Sequence, residues 1–272
     1  MNVGIAAMVP VLTVFAAFSS SPATAQETTP AQSKQWIVTL GGTAEYGPSY
    51  EGSKHYSFSG MPSFDIRRMG EPAGYSAPDD NIDYSLLDMD GFEAGPVAGL
   101  RSGRSAFDDH DLEGLRRVHW TIDAGAFAQY WPVEDRLRLR GEMRQALWDG
   151  DGLAADFAVD WFQPVSEDVV ISAGPRMSFG NSTFMQKNFG VSQGEAASNG
   201  RVSAFDADGG LKSVGLMVAA TYTISPAWSV IAYDRFDRLT GDAANSPITS
   251  QFGSENQNIL GLTINRSFAV GF

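Results

Sequence analysis

The strongest constraint on the fold of this chain is a period-two alternation of apolar and polar residues that recurs in long segments. Successive side chains of a β-strand point to opposite faces, so this period predicts strands. In one segment Ile122, Ala124, Ala126, Ala128 and Tyr130 share a single face. The predicted strands cover residues 36–46, 56–67, 81–87, 92–101, 118–131, 136–147, 153–162, 169–179, 211–223, 228–239 and 258–268.

The length of these segments favours a membrane barrel over a soluble sandwich or lipocalin-like barrel, which is the alternative. Most have about the 9 to 11 residues that a tilted transmembrane strand needs, whereas soluble strands usually have about five or six. We predict an all-β fold, an antiparallel transmembrane β-barrel of roughly 10 to 12 strands. Single-chain bacterial barrels have even strand numbers. Because the segments number eleven, we expect one assignment between residues 36 and 66 to be wrong.

The segment 136–147 separates charged and apolar residues onto its two faces. In a membrane barrel the apolar face contacts lipid and the polar face lines the interior. A turn centred on Gly150 would place positions that sum to 300 opposite each other, setting Arg140 against Asp160 and Arg144 against Asp156. Opposite charges across a strand pair stabilise it. The predicted charge ladder of the barrel interior consists of Arg138, Arg140, Arg144, Asp156 and Asp160.

The connections between the predicted strands alternate between short and long. Outer-membrane barrels have short periplasmic turns and long external loops, so the short connections are predicted to be periplasmic. Their acidic residues are Asp88, Asp90, Glu134, Asp135, Glu167 and Asp168. Clustered charge of one sign selects a partner of opposite charge, and these six residues are the predicted partner-binding site. The alternative is that the acids only keep the turns solvated.

The N-terminal residues predict a secretion signal. An apolar run from Val3 to Phe18 is followed by Ala23-Thr24-Ala25, the pattern of a signal peptide with its cleavage site. The predicted organisation is a cleaved signal peptide at 1–25, a flexible lead-in at 26–35 and the barrel at 36–272. An N-terminal membrane anchor is the alternative, although the run is short for a bilayer of ~30 Å. At the other terminus, Phe268 and Phe272 both qualify as the aromatic residue that ends the last strand.

Composition excludes several classes of function. With 19 Lys and Arg against 32 Asp and Glu, the formal charge of -13 repels polyphosphate, and no nucleic-acid partner is expected. The chain has no Cys, which excludes disulfides, thiolate metal sites and a Cys nucleophile. The Asp-Gly repeat at 149–152 is interpreted as a hairpin turn whose glycines take positive φ. We predict no cofactor, no metal site and no enzymatic activity.

Several ordered motifs add a family resemblance. The stretches Met185 to Ser192 (MQKNFGVS), Phe205 to Leu216 (FDADGGLKSVGL) and Leu239 to Pro247 (LTGDAANSP) resemble those of the MltA-interacting protein family, MipA/OmpV. Tyr50 to Ser53 and Ser172 to Arg176 fit the same family in the same order. The resemblance covers essentially the whole mature chain.

The resemblance implies a protein of the outer membrane of a Gram-negative bacterium, surrounded by outer-membrane lipid. It also implies a scaffold that binds a lytic transglycosylase and a peptidoglycan synthase at the periplasmic face. Two alternatives stay open at this point. One is a narrow channel for small solutes, which the charged interior favours, and the other is a surface adhesin.

Overall fold

The computed structural model describes residues 35–70, 74–148, 150 and 152–271. The predicted signal peptide and residues 26–34 of the lead-in lie outside the described residues. The last residue assigned to the lead-in, Gln35, is the first residue of a strand. None of the helices in the described part of the chain is long and apolar enough to cross a membrane.

The described residues form one antiparallel sheet of twelve strands. The strands are β1 (Gln35–Pro48), β2 (Tyr56–Arg68), β3 (Ile82–Asp83), β4 (Leu87–Met89), β5 (Phe92–Arg101), β6 (Thr121–Val133), β7 (Leu137–Ala146), β8 (Leu153–Pro164), β9 (Val169–Gly180), β10 (Gly210–Ser225), β11 (Trp228–Leu239) and β12 (Asn256–Gly271). Four helices lie in the long connections: α1 (Ser182–Phe189), α2 (Gln193–Asn199), α3 (Gly241–Asn245) and α4 (Pro247–Ser250).

The sheet curves into a nearly closed barrel. Its order is β2-β1-β12-β11-β10-β9-β8-β7-β6-β5-β3, with β4 also paired to β5, so the first and last strands of the chain are neighbours. In the described part of the chain no ladder joins β2 to β3. The predicted all-β antiparallel barrel of 10 to 12 strands is therefore confirmed.

The odd number of predicted segments does not result from a wrong strand assignment between residues 36 and 66. Strands β1 and β2 both form, so the expectation of a wrong assignment between residues 36 and 66 is itself wrong. Strands β3 and β4 pair with the same strand, through Ile82 opposite Ala98 and Leu87 opposite Ala94, and act as one interrupted strand. Asp79 and Asp80, between β2 and β3, contact interior arginines without joining the sheet, and the described part of the wall has eleven strand positions.

The barrel wall has an apolar exterior and a polar interior. On β6, Ile122, Ala126 and Tyr130 are on the accessible side, while Asp123 and Gln129 are buried on the other. Large apolar side chains of other strands are also accessible, among them Leu139, Met143, Phe157, Trp161, Leu262 and Ile264. An apolar outer band is what a barrel in hydrocarbon requires.

The register of the β7–β8 hairpin differs from the predicted one by two residues. Arg138 faces Asp160, and Arg140 faces Ala158, so opposed positions sum to 298 rather than 300. The turn is not centred on Gly150, because Gly152 is held against α1, where a Cβ would lie 2.2 Å from the Phe184 nitrogen. As interpreted from the sequence, Gly150 and Gly152 take positive φ, 63° and 79°. A two-residue shift keeps every side chain on its face.

The last strand continues past Phe268. β12 runs to Gly271, which pairs with Gln35 of β1, and Phe268 pairs with Val38. Of the two candidate terminal aromatics, Phe268 therefore lies within the strand. Phe272 is outside the described residues.

Candidate functional site

Five arginines project into the barrel from three strands. Arg138, Arg140 and Arg144 occupy alternate positions of β7, and Arg176 and Arg235 lie on β9 and β11. Alternate positions of a strand share one face, so the three β7 side chains line the same side of the wall. Arg138 is 1% exposed and Arg140 5%. Such buried guanidinium groups need paired anions to be stable.

Among the described residues, three of the seven carboxylates that pair with these arginines come from one segment, most of which lies outside the sheet. Residues 77–83, here called the luminal segment, contain three carboxylates. Asp79 accepts hydrogen bonds from Arg176 at 2.8 and 3.0 Å and from Arg235 at 3.1 Å. Asp80 accepts two from Arg138, at 2.6 and 2.9 Å. The luminal segment therefore connects β7, β9 and β11 across the interior.

Further hydrogen bonds fix the conformation of the luminal segment and its position against β7. The Ala77 amide donates to the Asp80 carboxylate at 2.8 Å, and the Asp80 amide donates to the Ala77 carbonyl at 3.1 Å, closing a tight turn. Asn81 donates to Glu142 at 2.8 Å, and Asp83 accepts from Arg140 at 2.6 Å. The turn presents successive carboxylates to different arginines.

The structure places the five predicted ladder residues in one network, in which the predicted Arg144–Asp156 contact forms and the predicted Arg140–Asp160 contact does not. Asp160 is 1% exposed and accepts from Arg138 and Arg176, each at 2.7 Å. Arg144 contacts Asp156 diagonally across the strand pair rather than directly. Arg140 bonds Glu142 and Asp83 instead of Asp160.

Sequence reasoning missed the luminal carboxylates. Asp79 and Asp80 lie between two predicted strands, in a stretch without alternation, and Asp83 lies in the predicted strand 81–87 without a predicted partner. The one available signal was charge balance: the inward faces of several strands carry arginines whose anions must come from elsewhere. Adjacent Asp residues after a Pro at a connection were the candidates for that source.

A cavity of about 360 Å³ lies between the luminal segment and the external loops. Its wall includes Asp79 and Asp80 on one side and Tyr50 and Phe184 on the other. The charged side chains around it have both signs, namely Arg101, Arg144 and Lys212 with Asp123, Asp156 and Asp237. Such a space can hold water or a small polar solute.

The external loops fold into a packed layer over this end of the barrel. One apolar cluster joins Phe184, Met185 and Phe189 of α1 to Ala243 of α3. Phe189 is 0% exposed and therefore packs entirely within this cluster.

A second apolar cluster of the external layer joins Tyr50, Val191, Ile248 and Phe252. The two clusters draw their residues from the long connections after β1, β5, β9 and β11. Together they give the external layer an apolar core of its own.

One ion pair ties two of the external loops together. Arg116 donates to both carboxylate oxygens of Glu195, at 2.8 and 2.7 Å, while Glu195 also forms a capping box with Ser192 at the start of α2. Burial alone would raise the pKa of Glu195, but the hydrogen bonds from Arg116 and Ser192 lower it below its usual range. The carboxylate is therefore ionised in the folded layer at neutral pH.

The six predicted partner-binding acids lie at the opposite, short-turn end. Asp88 and Asp90 flank the β4–β5 turn, and the other four lie in the β6–β7 and β8–β9 turns. All six are exposed. Asp90 and Asp135 have φ of 47° and 54°, values that Asp tolerates better than most residues. Backbone geometry therefore accounts for an Asp at two of the six positions.

The architecture itself identifies the compartment. Only helices and closed barrels satisfy all their backbone hydrogen bonds inside a bilayer, and barrels with short turns at one end and long loops at the other belong to the outer membrane. The described strands and their apolar exterior meet this description. The protein is an outer-membrane β-barrel.

Comparison with solved structures gives weak matches to other outer-membrane proteins. An outer membrane channel from Pseudomonas putida F1 aligns at 11% identity with a TM-score of 0.43, covering 89% of this chain and 100% of that chain. The toluene transporter TbuX of Ralstonia pickettii aligns at 11% identity with a TM-score of 0.31, covering 89% and 90%. Neisserial surface protein A aligns at 6% identity with a TM-score of 0.27, covering 86% and 97%.

Sequence comparison is more specific. No curated protein matches this sequence. The sequence model of the family described as MltA-interacting protein MipA matches residues 40–268, from within β1 to within β12. This match confirms the resemblance that the motifs indicated. The chain belongs to the MltA-interacting protein MipA family.

Proposed function

We propose that this barrel is a non-conducting platform that binds murein-remodelling enzymes at its periplasmic face. Its partners would be a lytic transglycosylase and a peptidoglycan synthase. The family description, MltA-interacting protein, supports an enzyme partner of this kind. The barrel would bind these enzymes and hold them together, without converting a substrate itself.

The observation that carries this proposal is the occupied interior. Asp79 and Asp80 hold the luminal segment to arginines on three strands, and the external layer covers the far end of the barrel. Wide aqueous pores need about 16 strands, whereas this sheet has twelve. A barrel filled in this way is better suited to holding a partner than to passing solutes.

The periplasmic rim is the surface that such enzymes can reach. Its exposed acids are Asp88, Asp90, Glu134, Asp135, Glu167 and Asp168. We propose that they bind a basic face of the transglycosylase, because charge complementarity raises the association rate and selects the partner. Glu134, Glu167 and Asp168 are the strongest candidates, since they lie in turns, whereas Asp88 lies in β4, and they lack the positive φ that explains Asp90 and Asp135.

The test reverses charge at the rim without disturbing turn geometry. The variant carries Glu134→Lys, Glu167→Lys and Asp168→Lys, and its matched control carries Glu113→Lys, Asp206→Lys and Asp208→Lys, three exposed acids of the external layer. We expect the rim variant to lose at least ~90% of transglycosylase co-purification, since each reversal replaces an attraction by a repulsion. Both variants should keep the gel-mobility shift on boiling that marks a folded barrel.

Equal capture by the rim variant and the wild type would reject the rim as the binding surface. If only the external control lost capture, the binding surface would be assigned to the external layer. An adhesin would also bind its ligand there. Capture of the peptidoglycan synthase is measured with and without bound transglycosylase. Capture in both cases indicates direct binding of the synthase, and capture only with the transglycosylase indicates binding through that enzyme.

The second candidate function is a narrow solute channel. The cavity of about 360 Å³ with charged walls of both signs supports it. It would require the luminal segment to move aside, because Asp79 and Asp80 bridge the interior. Conductance across planar bilayers separates this function from the platform.

A further inference from the structure

Arg104 differs from the other buried arginines in having no carboxylate partner among the residues that the structure describes. It lies in the connection between β5 and β6, and it is 5% exposed. Its backbone is fixed, because its amide and carbonyl form both bonds of a bridge to Val118, each 2.8 Å long. The side chain is therefore held at a defined place in the external layer.

The guanidinium of Arg104 has a single hydrogen-bond partner among the described residues. Its Nη1 donates to the carbonyl of Asn188, in the last turn of α1. Its Nε and Nη2 are buried and have no partner in the part of the chain that the structure describes. Two donors of a buried cation are thus left unused, although buried polar groups are nearly always hydrogen-bonded.

Neighbouring charged groups do not supply the missing anion. In the same layer, Arg116 is paired with Glu195 at 2.7 Å and Arg201 with Asp111 at 2.6 Å. Glu51 is nearby, but its carboxylate is 2.6 Å from Lys212. Burial lowers the pKa of Arg104 to about 10, which leaves the group charged at neutral pH.

A small cavity adjoins this guanidinium. It has a volume of about 40 Å³ and is lined by Arg104, Arg101, Tyr50, Glu51, Ser102 and Asn188, with Gly103. A single water occupies about 30 Å³ of liquid, so the space suits a monatomic ion or one carboxylate group. Arg101, although paired with Asp123 at 2.6 Å, adds a second guanidinium to the wall.

We infer that this cavity is a binding site for a small monovalent anion, a halide ion or the carboxylate group of a small solute, held by Arg104. The anion would accept the hydrogen bonds that Nε and Nη2 can donate, and it would neutralise a cation that burial otherwise destabilises. The cavity shares Tyr50, Glu51 and Arg101 with the larger cavity below it. A carboxylate bound at Arg104 could therefore belong to a solute that extends into that larger space.

The direct test is crystallographic and uses the wild-type protein. Crystals soaked in sodium bromide should show an anomalous peak within about 3.5 Å of Nε or Nη2 of Arg104, at hydrogen-bond range for a large anion. A parallel soak with bromide and excess sodium formate distinguishes the two sources. Displacement of bromide by formate assigns the site to carboxylates, and retention assigns it to halides. A protein carboxylate or an empty cavity at this position, under both soaks, would overturn the inference.

A stability measurement tests the same site in solution. Chloride or formate at ten times the half-saturating concentration should raise the apparent unfolding temperature of the wild type by about 3 °C at constant ionic strength. The Arg104→Gln variant should lose this response. The control Arg201→Gln removes an exposed arginine of the same layer and should keep it. An equal anion response in both variants would contradict the inference, and the bromide soak decides it independently if Arg104→Gln fails to fold.

Discussion

The barrel interior and the external layer are held together by different forces. In the interior, Asp79, Asp80 and Asp160 pair with arginines of three strands at 2.6 to 3.1 Å. In the external layer, Phe189 and Ile248 are completely buried among other apolar side chains. An ion pair fails when either member is lost, whereas an apolar core loses stability in proportion to the volume removed. A single substitution should therefore disturb the luminal segment more than the external layer.

The largest effect is expected from breaking a luminal pair. Arg138→Leu removes both hydrogen bonds that Asp80 accepts from Arg138 and leaves Asp160 with Arg176 as its cation, which should lower the free energy of unfolding by about 3 to 5 kcal/mol. The control is Arg238→Leu, because Arg238 contacts Glu255 at the same 2.6 Å but with both side chains about half exposed. An exposed pair contributes at most about 1 kcal/mol. Urea unfolding of the refolded barrels measures both, and equal losses would show that burial does not govern these pairs.

A smaller effect, confined to one end, is expected from the apolar layer. Ile248→Ala removes buried volume and should cost about 2 to 4 kcal/mol. The loss should appear as faster protease cleavage of the external loops, while the barrel strands stay protected. Added salt should not change it, because no charge is involved. Simultaneous release of the luminal segment would show that the two regions are one cooperative unit.

The Arg116–Glu195 pair gives the external layer a pH dependence. The pKa of Glu195 is lowered in the folded state, so its contribution is present above the unfolded value of 4.5 and is lost as the pH falls below that value. Glu195→Gln should therefore destabilise the layer by about 1 kcal/mol at pH 7, after allowance for partial exposure. The difference from wild type should shrink as the pH is lowered below 4.5. A constant difference between pH 7 and pH 3 would contradict the ion-pair assignment.

The smallest effect on stability is expected at Asp135, the rim acid whose positive φ accounts for the choice of residue. Asp135 has φ of 54°, so Asp135→Ala should cost about 1 kcal/mol and Asp135→Gly close to nothing. Both variants remove the same charge, so partner capture should fall equally in the two if charge matters there. Thermal unfolding and co-purification, measured on both, separate the turn role from the binding role.

The wall of the barrel was predictable because its signal is repeated. Each strand from β5 to β12 presents alternating residues to lipid and interior, and this pattern gives the faces and the approximate ends of the strands. The β7–β8 register was not predictable from it. A shift of two residues leaves Arg138 and Leu139 on the same faces, so alternation does not distinguish the two registers, and the close approach of Gly152 to α1 depends on the tertiary fold.

The interior and external contacts depend on long-range geometry that the chain does not repeat. Asp79 meets Arg176 and Arg235, which are 97 and 156 residues away in sequence. No local period brings such residues together, and charge balance could only have suggested that partners exist. The apolar residues of α1 gave a partial signal, because buried aromatics in a long loop indicate packing but not the partner.

The most direct test of the occupied interior is single-channel conductance in planar bilayers. The wild-type barrel should show no steady conductance, because the luminal segment bridges the lumen. The double variant Asp79→Asn, Asp80→Asn removes the carboxylates that meet Arg138, Arg176 and Arg235 and should produce stable open events. Steady conductance of the wild type, equal to that of the double variant, would contradict the platform and favour the channel.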